Sequence, residues 1–522
     1  MTDTHIQHQF SNIADLIEHS LVKFADKPAY SCFGQTLTYA DIDAKSKALA
    51  VWLQQQPNLH VGDRIVIQLP NINQYPIAAY AAIRAGLVIV NTNPLYTTRE
   101  MQHQFKDSGA KAIILLQDLL PKLNDVKAKT DIEYVITTAA TDLLTKNLEV
   151  APSGCFSFNQ IVNNTELTEL APRTANSIKD TCVLQYTGGT TGVSKGACLS
   201  HENLMSNAVQ TFSRLGASCQ EQQEIFIAPL PLYHIYAFTI NLMMLFNRGN
   251  LNVLIPNPRD LNAFVEAMKP FKFTGISGIN TLFVGLCHNP EFKTLDFSTL
   301  KLTVSGGTAL TSSAVNVWKE VTGCSISEGY GLSETSPVLC LNEPGKEVLG
   351  SVGKPVDATE IQLWDENDQV AEQGQIVARG PQVMSGYWNM AEETAKVLTK
   401  DGFFKTGDVG VRLENGEIKI VDRLKDMIIV SGFNVYPNEI EDVLTTHPKV
   451  LEAAVIGEED DKTGEKVCAY ITLTEQVCET EITQHCKSLL TAYKVPRKVV
   501  FMDELPKSTV GKILRRELRK TA

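Results

Sequence analysis

The hydrophobic positions fall into two rhythms. Asn12 to Phe24 and Tyr39 to Gln54 place apolar residues at helical spacing, the second through Ile42, Ala48, Leu49, Trp52 and Leu53. Ala29 to Leu37 reads as a hairpin turning at Gly34. A strand–helix alternation follows. Strands are predicted at Arg64–Leu69, Leu87–Asn91, Ala112–Leu116 and Tyr134–Thr137, with helices at Tyr75–Ala85 and Thr98–Asp107. The alternation resumes with a helix from about Ser200 to Leu215. Strands are expected at Ile225–Ala228, Asn252–Ile255, Phe273–Ile276 and Leu302–Ser305, and helices at Asp260–Met268 and Ser312–Thr322. Such alternation predicts parallel sheets covered by helices. From Gly350 to Ile420 the runs shorten and glycines multiply, which suggests hairpins in a small barrel-like β unit. The last hundred residues restart a compact α/β pattern: helix Pro437–Thr446, strands Val450–Ile456 and Val467–Leu473, helix Glu479–Leu490. The expected boundary lies near Asp422 to Asp426, giving a large unit at 1–422 and a small one at 423–522.

Composition narrows the class. A chain of 522 residues is long enough for several cores, and 43% hydrophobic with 20% charged residues describes a globular protein. The net charge of −12 argues against nucleic acid as a partner. Met1 to Phe10 is polar and does not read as a secretory signal. The stretch Pro76 to Val90 is interrupted by Arg84, and Ile235 to Phe246 is too short to span a bilayer. The eleven cysteines are scattered, with no C-x-x-C pair, which reads as reduced thiols in the cytosol. Peripheral contact with the inner face of a membrane and a homodimer both stay open.

Candidate chemistry gathers in five clusters. Tyr186 to Gly196 holds four glycines, four hydroxyl side chains and Lys195 within eleven residues. Glycines open dihedrals that let successive N–H groups converge on a phosphate, and Lys195 adds charge. The spacing is not that of a Walker A loop, and the plain alternative is a surface turn. Glu328-Gly329-Tyr330-Gly331-Leu332-Ser333-Glu334-Thr335 offers a flat ring for a base and a hard oxygen ligand for Mg²⁺; the alternative is a turn with a core tyrosine. Lys405-Thr406-Gly407-Asp408 places a carboxylate after a turn, able to accept from ribose hydroxyls or simply solvated there. Asp422 to Met427, running into Ser431 to Pro437, is dense in charge. Pro506 to Ile513 carries Lys512 ahead of Arg515, Arg516 and Arg519, either as a reaching loop or as a solvated basic end. Together the clusters describe a nucleotide site.

In this order the clusters resemble the adenylate-forming enzymes: acyl-CoA synthetases, luciferases and peptide-synthetase adenylation domains. Leu69-Pro70-Asn71, Asn93-Pro94-Leu95-Tyr96, Pro231-Leu232-Tyr233-His234, Gly380 to Met384 and Gly432 to Glu441 are most similar to bacterial long-chain fatty acid–CoA ligases. The resemblance implies two half-reactions. A fatty carboxylate attacks the α-phosphate of ATP, and coenzyme A then displaces AMP. It further implies that Lys512 bridges carboxylate and α-phosphate, that Glu334 and Thr187 serve Mg²⁺, and that Thr187, Gly188, Gly189, Thr190, Thr191, Gly192 and Lys195 hold the β- and γ-phosphates. Tyr330, between Gly329 and Gly331, would stack on adenine, Ser333 would meet the α-phosphate, and Asp408 and Arg423 would hold the ribose. His234 would stand at the mouth between acyl and thiol sites, with a packed core histidine as the alternative. Lys425 would be the hinge of a mobile C-terminal domain. Ser431, Gly432 and Phe433 would face coenzyme A, and Phe238 would line the acyl tunnel. Three positions depart from the pattern: Ser333 replaces a commoner threonine, Gln375 a glutamate, and Phe238 a tryptophan found in one long-chain subtype.

Other readings remain at this stage. The chain could activate an aryl or amino acid, pass an acyl-adenylate to a carrier protein, or bind a nucleotide without chemistry. No acidic residue stands between His234 and Phe238 to meet an amino acid's ammonium, and a pure binder has no need of Lys512.

Overall fold

A computed structural model describes residues 9–145, 150–172, 177–187, 194–508 and 511–520. The helix Ile13–Lys23 is capped by Asn12, whose side chain accepts from Asp15 N, and it turns Ile13, Leu16, Ile17 and Leu21 inward. Thr38 and Asp41 form a capping box at the start of Tyr39–Gln54, and Thr97 and Glu100 do so at Thr98–Ser108. These reciprocal bonds satisfy N–H groups that a first helical turn leaves free.

Two large sheets carry most of the chain. One has seven strands in the order Phe156–Ser157, Tyr134–Thr138, Ala112–Leu116, Arg64–Gln68, Val88–Asn91, Thr181–Thr187 and Lys195–Ser200. All neighbours are parallel except the last pair, which is antiparallel. The other has nine strands, with Ile225–Ala228, Leu251–Leu254, Gly275–Gly278, Leu302–Ser305 and Ile326–Gly331 forming its parallel middle. Helices lie between and outside the sheets, and the largest core joins the helix Gln74–Arg84 to both. Buried on all sides, that helix still carries an arginine. Arg84 reaches Asp43 at 2.8 Å and Ser46 at 2.9 Å, so its charge is paired where burial would otherwise be costly. No helix among the described residues is long and apolar enough to cross a membrane.

The glycine-rich region forms a four-stranded antiparallel sheet, Glu360–Trp364, Gln373–Arg379, Phe404–Arg412 and Ile418–Arg423, in linear order. After the turn Leu424–Asp426 a separate five-stranded sheet begins with the hairpin Ile428–Val430 and Phe433–Val435. Its long pair, Val450–Asp460 and Gly464–Leu473, packs on the helices Pro437–Thr445 and Glu479–Leu489 around its own core.

Some boundaries differ from the sequence pattern. The strand expected at Phe273–Ile276 runs Gly275–Gly278, because its register is set by pairing with Leu302–Ser305. Ile326–Gly331 is a strand although half its residues read as turn formers. Pairing with Val338–Leu341 overrides their local preference.

Candidate functional site

Three of the sequence clusters meet at the ends of strands from the nine-stranded and four-stranded sheets. Tyr330 lies near the end of Ile326–Gly331, and its hydroxyl donates to Asp408 Oδ2 at 2.7 Å. Asp408 and Arg423 are cross-strand partners, and Arg423 Nε sits 3.2 Å from Asp408 Oδ1. Gln375 supports this corner. Its Oε1 accepts from Gly407 N at 3.1 Å, in the turn just before Asp408. An amide oxygen makes the bond that a glutamate carboxylate would make, so the departure at Gln375 keeps the turn.

Gly331 lets the chain fold back at the end of its strand. A Cβ there would lie 1.9 Å from the carbonyl oxygen of Pro337. The single turn Ser333–Thr335 follows, with Glu334 nearly buried. Burial pushes the Glu334 carboxyl above the usual range, opposed by the hydroxyl of Tyr387. Tyr387 donates to Glu334 Oε1 at 2.8 Å. The strand Thr181–Thr187, which leads into the glycine-rich segment, packs against this turn. Thr187 pairs in register with Lys195. The Lys195 ammonium forms an ion pair with Glu393. Gly188, Gly189, Thr190, Thr191 and Gly192 lie outside the described residues.

Mg²⁺ can be tested against the donors. No group of three or more His, Cys, Asp or Glu side chains able to hold a metal occurs among the described residues. A single buried carboxylate suits an ion that takes its other ligands from phosphates and water, as Mg²⁺ does beside nucleotides. The donor set therefore fits Mg²⁺ arriving with ATP.

His234 and Lys512 face the same region. His234 Nδ1 accepts from Tyr236 N at 3.4 Å, which leaves Nε2 as the protonated nitrogen of a neutral ring. Burial, then the Lys512 charge, lowers His234 to about 4. Burial also lowers the Lys512 ammonium, to about 8, helped by Arg423 and opposed by Asp408. The Lys512 loop is docked rather than free: Gly511 O accepts from Thr281 Oγ1 at 3.2 Å and Ser508 O from Arg259 Nη2 at 3.4 Å. Gly511 has φ +80°, and a Cβ there would come within 2.7 Å of Ile279. The loop closes on itself through Ser508 N to Lys512 O at 2.7 Å.

The remaining predicted residues are spread over the site, the core and the surface of the small unit. Ser333 belongs to the same turn as Glu334. Phe238 is fully buried, in the unusually wide helical turn Phe238–Met244, within the core beside Tyr236. Lys425 sits in the turn between the last two sheets, and burial lowers it to about 8. Ser431 and Gly432 form the tip of the hairpin with φ +52° and +82°, a geometry that glycine accepts most readily. Phe433 is exposed there and stacks on Tyr493 at 4.8 Å. That tip is a surface feature of the small unit, whereas Lys512 faces inward.

Several participants carried no sequence signal. Tyr387 and Glu393 stand 53 and 198 residues from their partners. Asp442 accepts from Ser312 N at 2.9 Å and Ser312 Oγ at 3.2 Å, so the small unit bonds the first residue of the helix Ser312–Thr322. Arg515 is the most heavily engaged cation here. It meets Glu441 at 2.7 Å, Asp422 at 3.1 Å and Asp426 at 3.6 Å, and these carboxylates raise its guanidinium further against its burial.

Comparison with known proteins identifies the family. The AMP-binding enzyme family matches residues 17–388 and the AMP-binding enzyme C-terminal domain matches 439–512. A long-chain-fatty-acid–CoA ligase of Yersinia pestis is 42% identical, over 98% of this chain and 94% of the relative. One from Bacillus subtilis is 36% identical over 97% and 94%. Among solved structures, the anthranilate CoA ligase AuaEII with anthranoyl-AMP superimposes with a TM-score of 0.91 at 27% identity, over 99% of this chain and 98% of that one. ATP-bound MatB from Rhodopseudomonas palustris gives 0.85 at 29%, over 98% and 99%. The chain therefore belongs to the AMP-binding enzyme family.

Proposed function

We propose that this enzyme converts a long-chain fatty acid to its coenzyme A thioester through an acyl-adenylate. The observation that carries the reading is the seating of Lys512. A lysine from the small unit is held by hydrogen bonds from Thr281 and Arg259 where it faces His234, Asp408 and Arg423. Two anions must meet there, and a fixed cation between them offsets charge that grows as the P–O bond forms. The carboxylate oxygen bonds to the α-phosphorus and pyrophosphate leaves. In the second step the coenzyme A sulfur bonds to the acyl carbon, the bond to AMP breaks, and the thiol proton is released.

Thr187 and Lys195, with the glycines between them, hold the β- and γ-phosphates. Tyr330 stacks on adenine, Ser333 meets the α-phosphate, and Asp408 and Arg423 hold the ribose. Glu334 and Thr187 would hold Mg²⁺, whose positive charge withdraws electron density from the phosphates. His234 separates the acyl and thiol ends as a neutral donor. Phe238 borders the acyl tunnel in the apolar stretch Ile235 to Phe246.

The large unit, 1–422, takes ATP and the acid, and the small unit, 423–522, moves about Lys425 between steps. The hairpin tip Ser431 to Phe433 then replaces Lys512 at the site. Supporting this is that the unit is docked in part by polar contacts, Asp442 with Ser312 among them. Asp442→Ala should slow pyrophosphate-forming turnover about tenfold, the cost of hydrogen bonds to a charged group. Thioester formation from supplied acyl-adenylate should not slow. Equal slowing of both steps would remove Asp442 from the docking of Lys512.

Pyrophosphate release from ATP and Mg²⁺ over acids from acetate to oleate, with and without coenzyme A, tests the whole reading. Release that needs a long acid, and many turnovers only with coenzyme A, is the expected result. Sustained release with aryl or amino acids would overturn the substrate.

A further inference from the structure

The strand Lys195–Ser200 has a neighbour that is not a regular strand. Cys198 N donates to Gly386 O at 2.9 Å, Ser385 N to Cys198 O at 3.3 Å, and Trp388 N to Gly196 O at 2.8 Å. Ala197 and Tyr387 pair antiparallel between these bonds. Residues 385–388 thus run as a clip along the strand that begins at Lys195. The clip is tied at its far side too: Trp388 Nε1 donates to Asp107 O at 3.1 Å, and Tyr387 N to Thr394 Oγ1 at 2.9 Å. The backbone of Tyr387 has little freedom left.

Its side chain touches two groups at once. The hydroxyl donates to Glu334 Oε1 at 2.8 Å, and the Lys195 ammonium lies 5.1 Å from the ring centre. Lys195 also pairs with Glu393, in the helix Ala391–Val397 that contains Thr394. The two contacts differ in kind. Glu393 compensates the lysine's charge and competes with any anion for it. The ring of Tyr387 attracts the cation through its π face and leaves its charge available. The hydroxyl, by donating to one oxygen of Glu334, fixes the plane of the carboxylate and leaves the other oxygen to a ligand.

We propose that Tyr387 is a positioning residue that holds Glu334 and Lys195 in one register, with Glu393 as the lysine's partner until phosphate takes its place. The inference rests on the nucleotide roles given above to Glu334 and Lys195. In this role Tyr387 acts through Glu334 and Lys195.

The test compares full-length wild type, Tyr387→Phe, Tyr387→Leu, Glu334→Gln and the double variant Tyr387→Phe/Glu334→Gln. ATP–pyrophosphate exchange at saturating ATP and the affinity for a non-hydrolysable ATP analogue are measured on each. Tyr387→Phe keeps the ring and should slow exchange about tenfold, as for a lost hydrogen bond to a charged group, with analogue affinity within about twofold. Tyr387→Leu should also weaken the analogue severalfold, because the ring under Lys195 is gone. The double variant should be no slower than Glu334→Gln, since the hydroxyl acts through that carboxylate. Wild-type exchange in Tyr387→Phe beside a slow Glu334→Gln overturns the proposal, as does an additive double variant. Loss of the thermal unfolding transition in Tyr387→Phe overturns it too, by making the hydroxyl structural. Unimpaired exchange in Glu334→Gln would instead overturn the nucleotide reading.

Discussion

Lys512→Ala will lose adenylate formation and keep thioester formation. Pyrophosphate exchange with ATP and fatty acid should drop by about 10²–10³-fold, as when one preorganised donor is removed from a charge-developing centre. Supplied acyl-adenylate and coenzyme A should still react at close to the wild-type rate, because AMP leaves without the lysine's help. The variant should fold normally, since the loop is held by backbone groups at Ser508 and Gly511 and not by the ammonium. Equal loss of both steps would place Lys512 elsewhere in the mechanism. The same side chain sets a pH dependence. Its ammonium is lowered to about 8, chiefly by burial and then by Arg423, so the charged form prevails below that value and fades above it. The kcat/KM of the first step, which reports the free enzyme, should be level below about 8 and fall as pH rises through it. Lys512→Arg should carry that fall to higher pH, because a guanidinium keeps its charge.

Among the described glycines, Gly331→Ala is expected to be the most damaging single-methyl change. The added Cβ would sit 1.9 Å from Pro337 O and 2.6 Å from Pro337 C. Both are backbone atoms of the chain that returns beside it, and Gly331 pairs with Val338 there. No rotamer change can relieve the overlap, so the strand end must move, at a cost of about 3 kcal/mol or more. The displacement falls between Tyr330 and Glu334, so adenylation should suffer with stability. Gly285→Ala is the control. It lies inside the helix Asn280–His288, where the nearest atom would be a Leu261 methyl at 3.4 Å. There alanine's helix preference is worth up to about 1 kcal/mol. Thermal unfolding of both variants checks the pair, and a Gly331→Ala protein as stable as wild type would reject the steric account.

What could be read from the sequence was what residue type and local spacing carry. Tyr39–Gln54 announces itself by apolar spacing, and the capping box of Thr38 with Asp41 is seen only in the structure. The candidate residues stood out because five clusters in this order resemble one family; alone, each glycine cluster, lysine or turn aspartate also had a plain structural use. Their assembly was not legible, because it is made by pairing between distant segments. Asp408 meets Arg423 through strand register, and Tyr330 meets Asp408 across 78 residues. Tyr387 reads locally as one aromatic in a loop, and only the clip along Lys195–Ser200 turns it toward Glu334. Gln375 looked like a lost charge. The structure shows its carbonyl oxygen doing what a carboxylate oxygen would do for Gly407.

Arg515 bears on how the proposed motion is divided. It binds Asp422, which precedes Lys425 in the chain, and also Asp426 and Glu441, which follow Lys425. A rotation at Lys425 can carry Glu441 and Arg515 together, but it changes the separation from Asp422. In the proposed motion the guanidinium would behave as a detent on a pivot. One ion pair, to Asp422, would be surrendered on leaving the present angle, and those to Asp426 and Glu441 would travel with the moving part. Such an arrangement favours discrete resting positions over a continuous wobble, and it keeps the arm from Lys425 to Lys512 stiff while the joint turns.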